Sequence, residues 1–126
     1  MKSIIVKKLK PAYRDRRGVI TDLLNEKVNH VGLITTKKGA VRANHYHKLS
    51  TQYGYILSGK MEVSTAKFNK ISVVKKVILN PGELITIPPF TVHKFKAIKD
   101  SAMIDIISES RAGTKYESDV IRVELK

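Results

Sequence analysis

Hydrophobic and polar residues alternate along almost the whole chain, and no segment carries a helical repeat. That pattern predicts strands over residues 3–9, 18–24, 30–36, 41–47, 52–57, 60–67, 71–79, 83–87, 90–98, 101–108 and 118–125. Tight-turn chemistry falls between them, at Lys38-Gly39, Ser58-Gly59, Asn69-Lys70, Asn80-Pro81-Gly82, Pro88-Pro89 and Lys99-Asp100. Short strands at such even spacing imply a closed or double-sheet all-β structure. Neither a second domain nor a long linker is expected, and the loop Glu109 to Lys115 should be mobile.

Because alternate residues of a strand share a face, the pattern also sorts each strand into an inner and an outer set. Met61, Val63 and Thr65 should face the core, with Lys60, Glu62 and Ser64 outward. His93, Phe95 and Ala97 form a second inward set, opposite Lys94 and Lys96. A third is Val41, Ala43, His45 and His47, which leaves Arg42, Asn44 and Tyr46 outward. Three of the four histidines therefore have the parity of core residues. His30, at the start of a strand, is expected to be ordinary, and Tyr53 and Tyr55 should pack on the face opposite Gln52.

Composition narrows the classes of function. A chain of 126 residues can bury a core without staples, and the lack of cysteine excludes disulfides, thiolate nucleophiles and cysteine metal sites. Ile4, Ile5 and Val6 are too short an apolar run for a signal peptide, and nothing reaches membrane length, so the expectation is a soluble, cytoplasmic protein. Lys plus Arg number 24 against 11 acidic residues, a formal charge of +13 that attracts polyanions. The lysines are scattered as pairs, without the tracts or interleaved aromatics of a nucleic-acid platform. A solvated basic surface, with a local subset serving a nucleotide diphosphate, fits better than a nucleic-acid or membrane partner.

Two motifs now resemble the cupin superfamily. In the first, Gly39 is followed after five residues by His45-Tyr46-His47, after four more by Gln52 and after six more by Gly59. Gln52 stands where most members carry Glu. In the second, Pro81-Gly82, five residues, Pro88 and His93 match, but Ala97 replaces the final Asn. The resemblance implies an all-β, single-domain jelly-roll barrel over residues 1–126, with the histidines at its mouth, and an assembly as a homodimer. A narrower likeness is to the cupin 3,4-ketoisomerases that process dTDP-4-keto-6-deoxy sugars. Asp15-Arg16-Arg17-Gly18 is similar to their Asp-x-Arg-Gly opening, and Arg42 to Lys48 with Gln52 to their Arg-Gly-x-His-x-His-Lys and Gln. Tyr116 to Arg122 is similar to their C-terminal Tyr, Asp-Tyr-Ile-Arg run, with Val120 for the aromatic. Ala43 for Gly and Val92 for Trp are departures.

That likeness implies moving a ketone, or epimerising beside it, on a nucleotide-linked 4-keto-deoxy sugar through an enediolate. A base must take the proton beside the carbonyl and an acid must return one. A neutral imidazole suits this at physiological pH, and no redox cofactor is needed. His47 is the expected base and His45 its partner, with His93 positioning the sugar or stabilising the enediolate. Asp105 could orient an imidazole, or simply pair with a cation. Arg42, Lys48, Gln52 and Arg17 are the candidate substrate-binding residues, followed by Arg111; parity turns Arg42 away from His45 unless a bulge re-aims it. The alternative is a mononuclear site for Zn, Ni, Fe, Mn or Cu built from His45, His47, Gln52 and His93, supporting oxygenase or metal-assisted isomerase chemistry. A neutral Gln in place of Glu weakens such a site but leaves a bound ion more electrophilic. A non-catalytic small-molecule sensor or an oligomerisation module on the same barrel is the third class.

Overall fold

The computed structural model describes residues 3–125, in which two five-stranded antiparallel sheets face each other as a jelly-roll barrel. The strands are β1 (Ile5–Lys8), β2 (Tyr13–Asp15), β3 (Gly18–Ile20), β4 (His30–Thr36), β5 (Val41–His47), β6 (Gln52–Ser58), β7 (Met61–Lys67), β8 (Lys75–Leu79), β9 (Glu83–Ile87), β10 (Thr91–Ala97), β11 (Ser101–Ile107) and β12 (Val120–Arg122). One sheet runs β1-β9-β6-β11-β4 and the other β12-β5-β10-β7-β8, while β2 and β3 form a separate hairpin.

Alternation produces the core directly. Met61, Val63, Ile56, Leu79, Ile85, Ile87, Phe95, Ala97 and Met103 make one buried cluster between the sheets. A second, smaller cluster of Ala66, Val92 and Leu125 lies on the outer face of β7 and β10, because the C-terminal segment folds back over them. Lys94 Nζ donates to Leu125 O at 3.1 Å and helps to hold that cover. This packing also buries Ser64, which parity alone sends to solvent. At the β6–β7 turn Gly59 has φ +89°, and a Cβ there would collide with the Asp100 carbonyl and Ser101, so the position tolerates only glycine.

Three expectations are corrected. Residues Lys115–Asp119 form a short helix, α1, where the reading has only loop and strand. The strands expected over 18–24, 71–79 and 118–125 shrink to Gly18–Ile20, Lys75–Leu79 and Val120–Arg122, and Tyr13–Asp15 pairs with the first of these as an unanticipated strand. The third concerns β5, whose pairing to β10 slips at one point: His93 faces His45 but Lys94 faces Ala43, so Asn44 is an extra residue in the strand. Ala43 and Asn44 adopt φ of 72° and 59°, which Asn tolerates and Ala accepts at a cost of about 1–2 kcal/mol. Beyond the bulge the parity reverses. Val41 becomes exposed and Arg42, itself exposed, comes to the cavity wall, while Ala43 stays partly buried against the core.

Candidate active site

The ladder brings the three imidazoles together. His45 and His93 are direct cross-strand partners on β5 and β10, and His47 lies two residues further along the same face of β5. Ring centroids are 4.9 Å apart for His45 and His47, 4.8 Å for His45 and His93, and 5.6 Å for His47 and His93. All three are buried, His93 completely. The facing sheet supplies Gln52 from the start of β6 and Asp105 from β11. Asp105 is paired with Gly54, two residues from Gln52, so the two side chains are diagonal neighbours on one face.

Hydrogen bonds fix two of the tautomers. His47 Nδ1 lies 3.1 Å from Asp119 Oδ2, and His93 Nδ1 lies 2.9 Å from the Thr91 carbonyl. Both partners can only accept, so each Nδ1 carries a proton, and in the neutral ring the lone pair is on Nε2. Those two Nε2 atoms, with His45 Nδ1 and Gln52 Oε1, are buried without a hydrogen-bond partner among the described residues. Such groups are costly to leave unsatisfied, so the cluster is built to meet something that the chain does not itself provide.

Burial also sets the charge of the centre. Desolvation pushes His45 down to about 4, helped by charge taken up on His47 and by the charges of Arg122 and Arg111. His93 is pushed down to about 3, again chiefly by burial and then by His45. Both rings are neutral at physiological pH. Burial also opposes the charge on Asp119, but hydrogen bonds from Ser50 Oγ (2.6 Å), the Leu49 N–H (2.6 Å) and His47 outweigh it and hold the carboxyl below its usual range. Asp105 is raised by burial, against the pull of the 2.7 Å bond it accepts from Gln52 Nε2.

A cavity of about 470 Å³ opens onto His45 and His47, while the fully buried His93 is outside its lining. Its wall includes His45, His47, Gln52, Asp105, Arg42, Arg111 and Tyr116, with Ile34, Met61, Phe95 and Met103 as apolar lining. The expected site residues separate here. The bulge brings Arg42 to the cavity, where Nε donates to Thr36 Oγ1 at 3.0 Å and Nη2 to the Thr35 carbonyl at 2.9 Å. Lys48 is exposed and outside the cavity lining. Arg17 belongs to the β2–β3 hairpin, ion-paired with Asp15 at 2.8 Å, and is also outside it. Asp105 bonds Gln52 and not an imidazole; the carboxylate that orients a histidine is Asp119.

Asp119, Tyr116 and Arg111 are the site residues that strand parity misses. α1 and the start of β12 deliver the first two, since Val120 pairs with His47 and Asp119 therefore sits beside it. Tyr116 stands edge-on to His47 with centroids 6.2 Å apart, and the Arg111 guanidinium lies 4.0 Å from the centre of the Tyr116 ring. The C-terminal run from Tyr116 to Arg122 is the one signal that held Tyr116 and Asp119 in view.

Two histidines from β5 and one from β10, at the open end of a jelly roll, are the centre of a cupin. The family model described as "Cupin domain" matches residues 32–107, and the chain belongs to that family. Similar solved structures are enzymes of sugar nucleotides. One is a 3,4-ketoisomerase from Helicobacter canadensis, with TM-score 0.80 and 19% identity over 97% of this chain and 92% of that one. Another is a mutant 3,4-ketoisomerase from Thermoanaerobacterium thermosaccharolyticum in complex with TDP-4-keto-6-deoxyglucose, with TM-score 0.77, 21% identity and coverage of 97% and 88%. A dTDP-4-dehydrorhamnose 3,5-epimerase from Sulfolobus tokodaii has TM-score 0.74, 20% identity and coverage of 96% and 77%. At these identities the likeness establishes the shared fold. No sequence among curated proteins matches the chain. None of the helices among the described residues is long and apolar enough to cross a membrane.

Proposed function

We propose that the chain is an isomerase or epimerase that removes the proton beside the ketone of a nucleotide-linked 4-keto-6-deoxy sugar, with His47 as the base. The observation that carries this reading is the His47–Asp119 hydrogen bond, which leaves an unpartnered Nε2 lone pair on a ring that lines the cavity. Asp119 is held ionised, so it stabilises the imidazolium that forms when Nε2 takes the proton. The ketone oxygen gains a proton as the enediol forms, and we assign its supply to His45, a neutral ring with one N–H that lines the cavity. In ketoisomerisation the neighbouring hydroxyl then loses its proton and the old carbonyl carbon gains one, so protons balance. Epimerisation returns the proton to the first carbon from its other face.

The role of His93 narrows. Its N–H is spent on Thr91 and its free Nε2 can only accept, so it cannot donate to an enediolate oxygen; fully buried and outside the cavity lining, it packs against His45 and His47 and does not take the sugar-positioning role expected of it. TDP or a TDP-sugar is what the ketoisomerase neighbours from T. thermosaccharolyticum bind, which supports the substrate class.

A second reading is favoured by the four unpartnered polar atoms. His45, His47 and His93 offer ligand nitrogens within 4.8 Å of one another, and Gln52 adds a carbonyl oxygen. Nitrogens on a tetrahedral zinc stand roughly 3.3 Å apart, so the rings would have to draw in. The donor set suits a late divalent ion, which would polarise the ketone as a Lewis acid when bound.

Metal analysis of untagged protein, paired with turnover of TDP-4-keto-6-deoxyglucose before and after exhaustive chelation, separates the two. Turnover that survives chelation is the expected result. Activity that vanishes and returns with one ion establishes the metal enzyme, and no turnover in either state removes both readings in favour of a binding module.

A further inference from the structure

We propose that Arg111, seated over the Tyr116 ring, is the clamp for the anionic group of the ligand at the mouth of the cavity. This rests on the nucleotide-sugar reading and deepens it. Among the described residues that line the cavity, Arg42 and Arg111 are the cations. Arg42 is tied to the wall by two of its five N–H donors, Nε on Thr36 and one on Nη2 to Thr35. Arg17 and Arg122, by contrast, already pair with Asp15 and Glu117. Arg111 has no carboxylate within ion-pair distance among the described residues, and its guanidinium sits 4.0 Å above the Tyr116 ring.

Stacking uses the face of a guanidinium and leaves its in-plane N–H groups free. A fork of donors restrained in this way loses less freedom when it closes on phosphate oxygens than a mobile lysine does. The stack also sets the distance to the chemistry. Tyr116 stands between Arg111 and His47, edge-on to the latter at 6.2 Å, so a ligand with its anion on Arg111 can reach the base with the sugar attached to it. Arg111 is close enough for its charge to act on both His45 and Asp105. The clamp is thus a positioning and binding residue, distinct from the proton-transfer groups.

The test is isothermal titration of thymidine diphosphate and of thymidine against the wild type, Arg111→Ala, Arg111→Lys and Tyr116→Leu, with thermal melts to verify folding. Arg111 is exposed, so its substitutions should leave the melt unchanged. The expected result is a loss of about 10- to 100-fold in thymidine diphosphate affinity for Arg111→Ala, with thymidine unaffected. Arg111→Lys should recover only part of the loss, because the charge returns without the planar stack, and Tyr116→Leu should weaken thymidine diphosphate without touching Arg111 itself. Undiminished affinity in Arg111→Ala, beside a wild type that binds thymidine diphosphate, overturns the clamp and leaves the substrate reading standing. A wild type that binds neither probe overturns both.

Discussion

Replacing Asp119 by Asn tests the proton-transfer assignment at a single atom. In the wild type Asp119 Oδ1 accepts from the Leu49 N–H at 2.6 Å, and Oδ2 accepts from Ser50 Oγ at 2.6 Å and from His47 Nδ1 at 3.1 Å. The Leu49 N–H still needs an acceptor in the variant, so the amide oxygen must stay there and the NH2 group turns to His47. An N–H donor facing Nδ1 favours the opposite tautomer, with the proton on Nε2, and the base is blocked. A hydrogen bond to a charged group contributes about 1.5–3 kcal/mol, and the variant both removes it and rewards the wrong tautomer. The swing is therefore roughly 3–6 kcal/mol, or about 10²- to 10⁴-fold in the fraction of enzyme with a usable lone pair. Turnover of TDP-4-keto-6-deoxyglucose should show this loss in kcat, with KM changed by less than about threefold because the cavity wall is intact. Nitrogen-15 shifts of the His47 ring report the tautomer independently. A kcat within about fivefold of wild type, or a ring that keeps its proton on Nδ1, would refute the reasoning.

Two other outcomes follow from the same geometry. Gln52→Glu sets a second carboxylate against Asp105, whose oxygen now lies 2.7 Å from Gln52 Nε2, so the metal-free protein should lose about 1–3 kcal/mol of stability. A divalent ion should restore it and bind at least about tenfold more tightly than to wild type; an unchanged melting temperature without metal contradicts the pairing. Stability should also depend on acid in a defined window. Above pH 6.5 His45 and His93 are neutral whether folded or unfolded, whereas below it the unfolded chain takes up protons that His45 refuses down to about 4 and His93 down to about 3. Each ring therefore removes up to about 1.4 kcal/mol per pH unit across its window, while Asp105, raised by burial, works in the opposite direction. His93→Gln should flatten the decline measured by urea melts between these limits; an identical slope would show that His93 titrates normally.

The histidine cluster was legible because a period of two is all that its geometry needs: His45 and His47 share a face by spacing, and His93 shares one with Phe95 and Ala97. The barrel was legible for the same reason, as turn residues and alternation carry most of the information in short antiparallel strands. What escaped depends on departures from that period. The extra residue at Asn44 reverses the parity of Arg42 and Val41, and nothing in Ala43 announces a left-handed backbone, since Ala is a poor residue for it. α1 is five residues long, too short to show a helical repeat, and it carries the carboxylate that orients His47. Asp105 was drawn to the histidines by its position inside an apolar run, but its strand faces Gln52 first. Lys48 is next to His47 along the chain and Arg17 belongs to a motif, and neither fact says which side of a turn a long side chain takes.

The most direct measurement of the central claim is solvent deuterium entering TDP-4-keto-6-deoxyglucose, followed by proton NMR, in chelated wild-type protein and in His47→Asn. The account predicts label at the carbon beside the ketone with wild type and none above the uncatalysed rate with the variant. Exchange that persists when His47 is gone, or that never occurs with wild type, would contradict it.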